Sequence, residues 1–118
     1  MAVDLARARA RDGQARFAIV ETSPGRYEAQ GPLTFATARR ALDAGIGALA
    51  AARDSALEVS CAGVGVSDSA GLAVLIEWRA WARRNGRELA LTHVPAAVRA
   101  IARICEIEEL LLGAERPS

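Results

Sequence analysis

The run Ser67-Asp68-Ser69-Ala70-Gly71 brings together hydroxyl and carboxylate groups that could do chemistry. A serine nucleophile needs a base within reach, and the sequence contains a single histidine, His93, at the predicted end of a strand. The run also differs from the Gly-x-Ser-x-Gly elbow of hydrolases. We assign His93 to a surface or capping role and predict that the chain is not an enzyme.

The sequence also lacks the motifs that predict binding sites for nucleotides, cofactors or metal ions. Gly63-Val64-Gly65 lacks the later glycines of a dinucleotide fingerprint, and no phosphate loop is present. Cys61 and Cys105 lack Cys-x-x-Cys spacing, so we interpret both as buried, reduced thiols. The glutamates within 106–109 are typical of a solvated face. We therefore expect no cofactor and no metal.

Composition limits the function classes further. The chain has 118 residues, enough for one two-layer domain, with 15 basic and 14 acidic side chains and a net charge of +1. A charge balance this close to neutral gives no strong positive electrostatic field that would attract nucleic acid. No apolar run approaches the roughly 20 residues of a membrane span, and the N-terminus lacks the apolar region of a signal peptide. We expect a cytoplasmic protein without direct membrane insertion.

The elements that must position the Ser-Asp-Ser run alternate between strand and helix. Periodicity and turn signals predict strands over 17–21, 26–30, 57–66 and 87–94. They also predict helices at three places: from Thr34 or Thr37 to about Ala51, for about 15 residues after Asp68, and over 95–105. A short segment, 106–112, closes the fold.

This order predicts an α/β fold with a mixed β-sheet of about four strands covered by helices. The first predicted helix is indicated by the near-helical spacing of its apolar residues, Phe35, Ala38, Leu42, Ile46 and Leu49. We place a flexible leader at 1–15, the domain at 16–113 and a tail at 114–118.

The helix after the Ser-Asp-Ser run has two predicted faces. Ser67 and Asp68 can cap its first free N–H groups, and Gly71 permits close approach of another backbone. At about 100° per residue, one side is predicted to face the core: Gly71, Val74, Leu75, Trp78, Trp81 and Ala82. A flank combines Ser69, Leu72, Ile76, Arg79 and Arg83. The flank suits a partner contact, and the alternative is that Leu72 and Ile76 cover a neighbouring helix of the same domain.

The motif Asp68-Ser69-Ala70-Gly71-Leu72 resembles that of STAS domains, the fold of anti-sigma-factor antagonists and of sulfate-transporter tails. The segment 31–38 is similar to the stretch before the first helix of that family. Asp68 through Trp78, Gly86-Arg87-Glu88-Leu89 and the Val94-Pro95 turn resemble most closely the MlaB-like branch, the STAS subunits of Mla phospholipid-transport ABC complexes.

The resemblance implies a non-catalytic STAS subunit that binds and activates an MlaF-like ABC ATPase in phospholipid transport and outer-membrane lipid asymmetry. It would lie at the inner membrane through this partner, and reach the permease only indirectly. The expected partner-binding residues surround the helix start and follow the flank: Ser67, Asp68, Ser69, Leu72, Ala73, Ile76, Arg79 and Arg83.

The alternative is an anti-sigma-factor antagonist that binds a kinase-like anti-sigma factor. In such antagonists the phosphorylated hydroxyl directly precedes the glycine, the position that Ala70 occupies here. Ala70 cannot accept phosphate, which disfavours this function, whereas Ser69 remains a candidate phosphorylation site.

Overall fold

The computed structural model describes residues 16–113, which form four strands and four helices. They are β1 (Ala18–Ser23), β2 (Arg26–Leu33), α1 (Ala38–Ala51), β3 (Ala56–Ser67), α2 (Ser69–Arg84), β4 (Glu88–Thr92), α3 (Ala96–Ile104) and α4 (Glu108–Leu112). The predicted α/β class and mixed four-stranded sheet are confirmed. The predicted leader 1–15 and tail 114–118 lie outside the described residues.

The strands lie in the sheet in chain order, β1-β2-β3-β4. β1 and β2 form an antiparallel hairpin, and its turn needs Gly25 at φ +78°. β2 pairs in parallel with β3, and β3 in parallel with β4, so α1 and α2 are the crossover helices. The carboxyl ends of β2 and β3 therefore meet at one edge of the sheet, where α2 begins.

Burial alternates along the first half of β2, the first half of β3 and β4, so the described helices cover one face of this part of the sheet. On β2, Tyr27, Ala29 and Leu33 are buried against the helices. The other face is polar: Thr92 Oγ1 donates to Glu58 Oε2 across 3.3 Å. Such a solvated face is common in sheets that contain antiparallel strands.

Trp78 of α2 is the largest fully buried side chain among the described residues, and its ring centroid lies 5.8 Å from that of Phe17. The predicted core face of α2 is confirmed at Gly71, Val74, Leu75, Trp78 and Ala82. Trp81 is only half-buried, and the Arg87 guanidinium lies 5.9 Å from its ring centroid.

The prediction that Phe35 belongs to the helical spacing of the first helix is wrong. α1 begins only at Ala38, and the Phe35 side chain is 85% exposed. The physical reason is a turn before the helix: Thr37 Oγ1 accepts a hydrogen bond from Thr34 N at 3.0 Å and donates to Pro32 O at 2.9 Å. Thr37 thus organises the turn and makes no side-chain cap on α1.

The two thiols also differ from expectation. Cys61 is buried on β3 as predicted, but Cys105 is exposed: it follows Ile104, the last residue of α3, which is itself 80% exposed, so this end of the helix is not covered by other segments. Burial raises the pKa of the Cys61 thiol to about 12. The Cys61 thiol is therefore protonated as well as covered.

We expect iodoacetamide at mildly alkaline pH to alkylate Cys105 and leave Cys61 unmodified, because only thiolates that solvent can reach react. Intact mass should show one adduct on the folded chain and a second only after denaturation. Two adducts formed at the same rate on folded protein would contradict this assignment of buried and exposed thiols.

Candidate partner-binding surface

The Asp68 carboxylate joins two segments of the chain at the start of α2. Its Oδ1 accepts hydrogen bonds from Ala70 N at 2.9 Å and Gly71 N at 3.2 Å, as an N-cap does. Its Oδ2 accepts a hydrogen bond from Phe35 N at 3.1 Å. One side chain therefore caps α2 and fixes the turn before α1, so Asp68 positions this surface.

Gly71 lets the first turn of α2 lie directly against the end of β2. A Cβ at this position would overlap the carbonyl oxygen of Leu33, whose own side chain is fully buried. Asp68 N donates to the same carbonyl at 3.4 Å, and Ser67 pairs with Leu33 in the parallel ladder. The predicted close approach at Gly71 is therefore present, and its neighbour is β2.

Two residues next to this polar helix start have exposed apolar side chains. Phe35 is 85% exposed, and Val66, at the end of β3, is 72% exposed. The turn over 34–37, closed by Thr37, holds the Phe35 backbone. Contact surfaces bury apolar side chains of this kind, so Phe35 and Val66 are candidates for a contact at this helix start.

α2 presents an exposed stripe that runs from its first residue to its last turn. The small or apolar part of this stripe contains Ser69, Ala73, Ile76 and Ala80, of which Ile76 and Ala80 are half-buried. The stripe ends in charged side chains, Glu77, Arg83 and Arg84, and Arg84 forms an exposed ion pair with Glu77 at 3.9 Å. We call these seven residues the α2 stripe.

The structure places the predicted site residues in two groups. Ser67, Asp68, Ser69, Ala73, Ile76 and Arg83 lie at the helix start or on the α2 stripe. Leu72 and Arg79 lie instead on the side of α2 that packs against the rest of the domain. The alternative interpretation of the flank, in which Leu72 and Ile76 make contacts within the domain, describes Leu72, and the half-buried Ile76 also packs against the core.

The prediction that Leu72 and Arg79 contact a partner is wrong for a shared reason: neighbouring segments of the same domain cover both side chains. Leu72 is 4% exposed and belongs to the core. Arg79 Nε donates to Leu89 O at 3.1 Å, and its Nη1 donates to Glu109 O and Leu110 O at 3.2 Å each. Arg79 therefore connects α2 to β4 and α4, and we assign it a structural role.

Phe35 and Val66 are the surface residues that sequence reasoning missed. Phe35 fits a helical spacing, and only the neighbouring Pro32 and two threonines signal a turn. Val66 lies in the second half of β3, where the pairing with β2 shifts register twice, once before Gly63 and once between Val64 and Ser67. Each shift moves the inward and outward positions by one residue, which simple alternation does not reveal.

Two other features, a serine–histidine pair and an open groove, give less support for a functional site. Ser60 Oγ and His93 Nδ1 lie 3.4 Å apart near the solvated face of the sheet, with His93 exposed. An open groove of about 600 Å³ lies near the C-terminal half of α2, but Arg79, which lines it, already bonds to three carbonyls. Within residues 16–113, no group of three metal-ligating side chains is found, and no helix is long and apolar enough to span a bilayer.

The sequence model of a protein family described as "Mlab, STAS domain" matches residues 20–113. Together with the mixed sheet and the helix that starts at its edge, this match defines a STAS-domain protein. The chain belongs to the MlaB-like STAS family.

Solved structures share the fold at low sequence identity. A sulfate transporter family protein from Wolinella succinogenes is 23% identical, with a TM-score of 0.56 over 78% of this chain and 75% of that one. The anti-sigma factor antagonist SpoIIAA in its unphosphorylated form is 10% identical, with a TM-score of 0.61 over 80% of this chain and 84% of that one. No curated protein matches the sequence significantly. These likenesses establish the fold.

Proposed function

We propose that this chain is a non-catalytic STAS subunit that binds the ATPase of an Mla-type phospholipid-transport ABC complex and stabilises its active form. The observation that carries the proposal is the α2 stripe, small and apolar near a helix start that Asp68 and Gly71 hold in place. The match to the MlaB-like STAS family supports the choice of partner.

The composition of the α2 stripe suits a protein contact. Ser69, Ala73 and Ala80 have short side chains, so a partner backbone or helix can approach α2 closely. Ile76 adds apolar area, and Arg83 at the end of the stripe supplies a charge for the rim of an interface, where ion pairs govern the association rate more than the affinity. The contact needs no catalytic group on this chain.

Such a subunit can regulate turnover without touching nucleotide or lipid. If it binds the active conformation of the ATPase more tightly than the inactive one, it shifts the population by that difference in affinity. In this proposal the chain lies in the cytoplasm, at the inner membrane only through the ATPase, and contacts the permease indirectly.

Ser69→Arg should strongly weaken this contact, because Ser69 is exposed at the start of the α2 stripe and a long charged side chain would hold the partner away. Titration of the purified Mla-type ATPase from the same organism should show affinity reduced roughly 30-fold or more, the size of a hot-spot loss of about 2 kcal/mol. Stimulation of ATP hydrolysis should be lost with it.

Ser23→Arg is the matched control. Ser23 is exposed at the end of β1, at the opposite end of the β1-β2 hairpin from the helix start, so this variant should bind and stimulate like the wild type. Circular dichroism should show both variants folded. Wild-type affinity in Ser69→Arg would contradict docking through the start of α2.

A second function, antagonism of a kinase-like anti-sigma factor, is favoured by one observation. Ser69 is exposed at the first residue of α2, where a hydroxyl is accessible to a kinase and a phosphate is electrostatically tolerated by the helix. Ala70 is half-buried and has no hydroxyl. Binding to an anti-sigma kinase, without binding to the ATPase, would favour this second function.

A further inference from the structure

We infer that Phe35 is the apolar anchor of the docking surface and enters an apolar pocket on the partner protein. This inference rests on the proposed function, because it names a residue outside α2 that completes the same contact. It assigns to Asp68 the role of a positioning residue, whose carboxylate holds the Phe35 backbone beside the α2 stripe.

Exposure singles out this part of the surface. The described residues include five exposed large hydrophobic side chains, and the three with the greatest exposure are Phe35 at 85%, Ile104 at 80% and Val66 at 72%. Phe35 and Val66 both lie next to Asp68, one through a hydrogen bond and the other two positions away in sequence. An aromatic ring left this exposed is a large apolar area available for a contact.

The Phe35 backbone is fixed before any partner arrives. Its N–H donates to Asp68 Oδ2, and the turn that contains it is closed by the nearly buried Thr37. Asp68 is itself fixed by its bonds to the first turn of α2. Because these bonds hold the turn without a ligand, binding through Phe35 would order little additional chain, which favours affinity.

The surroundings of Phe35 favour a protein over a membrane as the occupant. The Asp68 carboxylate and the exposed Ser69 hydroxyl lie beside it, and a carboxylate opposes approach to an anionic lipid surface. Arg39 and Arg40, exposed in the first turn of α1, attract anionic lipid, so lipid is the competing occupant. The α2 stripe next to Phe35 has its basic side chains, Arg83 and Arg84, only in the last turn of the helix, so the part of the stripe near Phe35 suits a protein contact better than an anionic surface.

Phe35→Ala tests this directly, because the exposed side chain can be removed without opening a cavity in the core. Loss of a fully buried phenylalanine contact corresponds to roughly a tenfold to 150-fold weaker affinity. We expect calorimetric titration against the ATPase subunit to show a loss in that range. Phe35→Leu, which keeps much of the apolar volume, should lose distinctly less.

Ile104→Ala is the matched control, since Ile104 is almost as exposed but lies at the end of α3. It should change the affinity less than twofold. The inference is wrong if Phe35→Ala binds as tightly as the wild type. It is also wrong if Phe35→Ala and Ile104→Ala lose the same affinity.

Two further measurements separate the other occupants. If wild type but not Phe35→Ala floats with vesicles of phosphatidylethanolamine and phosphatidylglycerol, the ring contacts lipid and the inference is wrong. It is equally wrong if light scattering shows a wild-type dimer that Phe35→Ala dissociates. If Ser69→Arg no longer binds the ATPase but Phe35→Ala binds it normally, the proposed function is supported and the role of Phe35 is wrong. If the wild type does not bind the ATPase, both proposals are wrong.

Discussion

Gly45→Ala should destabilise the domain by about 3 kcal/mol, at the upper end of the usual cost of overpacking a core. Gly45 lies on α1 against the indole ring of Trp78, and a Cβ there would overlap that ring. Trp78 is fully buried and cannot move toward solvent. Either α1 must shift away from α2, or the ring must adopt a strained rotamer.

Gly47→Ala is the internal comparison, because Gly47 lies in the same helix with open space around it. Alanine there should raise the free energy of unfolding by about 0.5–1 kcal/mol, because it restricts the unfolded chain. Urea unfolding followed by tryptophan fluorescence measures both variants. A Gly45→Ala domain as stable as the wild type would mean that α1 and α2 do not pack as described.

Gly71→Ala should damage both stability and partner binding. A Cβ at Gly71 would overlap a backbone atom, Leu33 O, which cannot rotate away as a side chain can. The start of α2 would have to move away from β2, lengthening the bond from Asp68 N to Leu33 O and the bond from Phe35 N to Asp68 Oδ2. We expect a loss of about 2–3 kcal/mol in the free energy of unfolding.

Partner affinity should fall in Gly71→Ala even below the temperature at which the variant unfolds, because Phe35 and Ser69 would no longer be held in one arrangement. Gly65→Ala, on β3 with open space where its Cβ would lie, should keep wild-type affinity and should be at least as stable as the wild type, because alanine there also restricts the unfolded chain. Thermal unfolding and titration on the same samples test the pair. If Gly71→Ala is destabilised but folded and still binds the partner with wild-type affinity, the start of α2 is not part of the docking surface.

Much of the fold follows from local signals. The Pro24-Gly25 turn between two strands predicts the hairpin, and a capping aspartate after an apolar run predicts the junction of β3 and α2. These features depend on residues close in sequence, so spacing and residue type describe them well. The core face of α2 is predictable for the same reason.

The missed features depend on contacts between distant segments. Arg79 fits the exposed flank of an isolated helix, and only the carbonyls of Leu89, Glu109 and Leu110 make it an internal residue. Phe35 fits a helical spacing until Asp68, 33 positions away, holds its backbone in a turn. Periodicity contains no information about these contacts, so it could not distinguish an exposed Phe35 from a helical core residue, or a bonded Arg79 from an exposed one.

The order of strands in the sheet has a consequence for how the chain folds as it is synthesised. Because each strand pairs with the one before it, no strand must insert between two that are already paired. The hairpin can form first, and β3 and β4 can then add to its edge as they leave the ribosome. The carbonyls that hold Arg79 belong to β4 and α4, so α2 gains its final attachment only when the last described helix has been made.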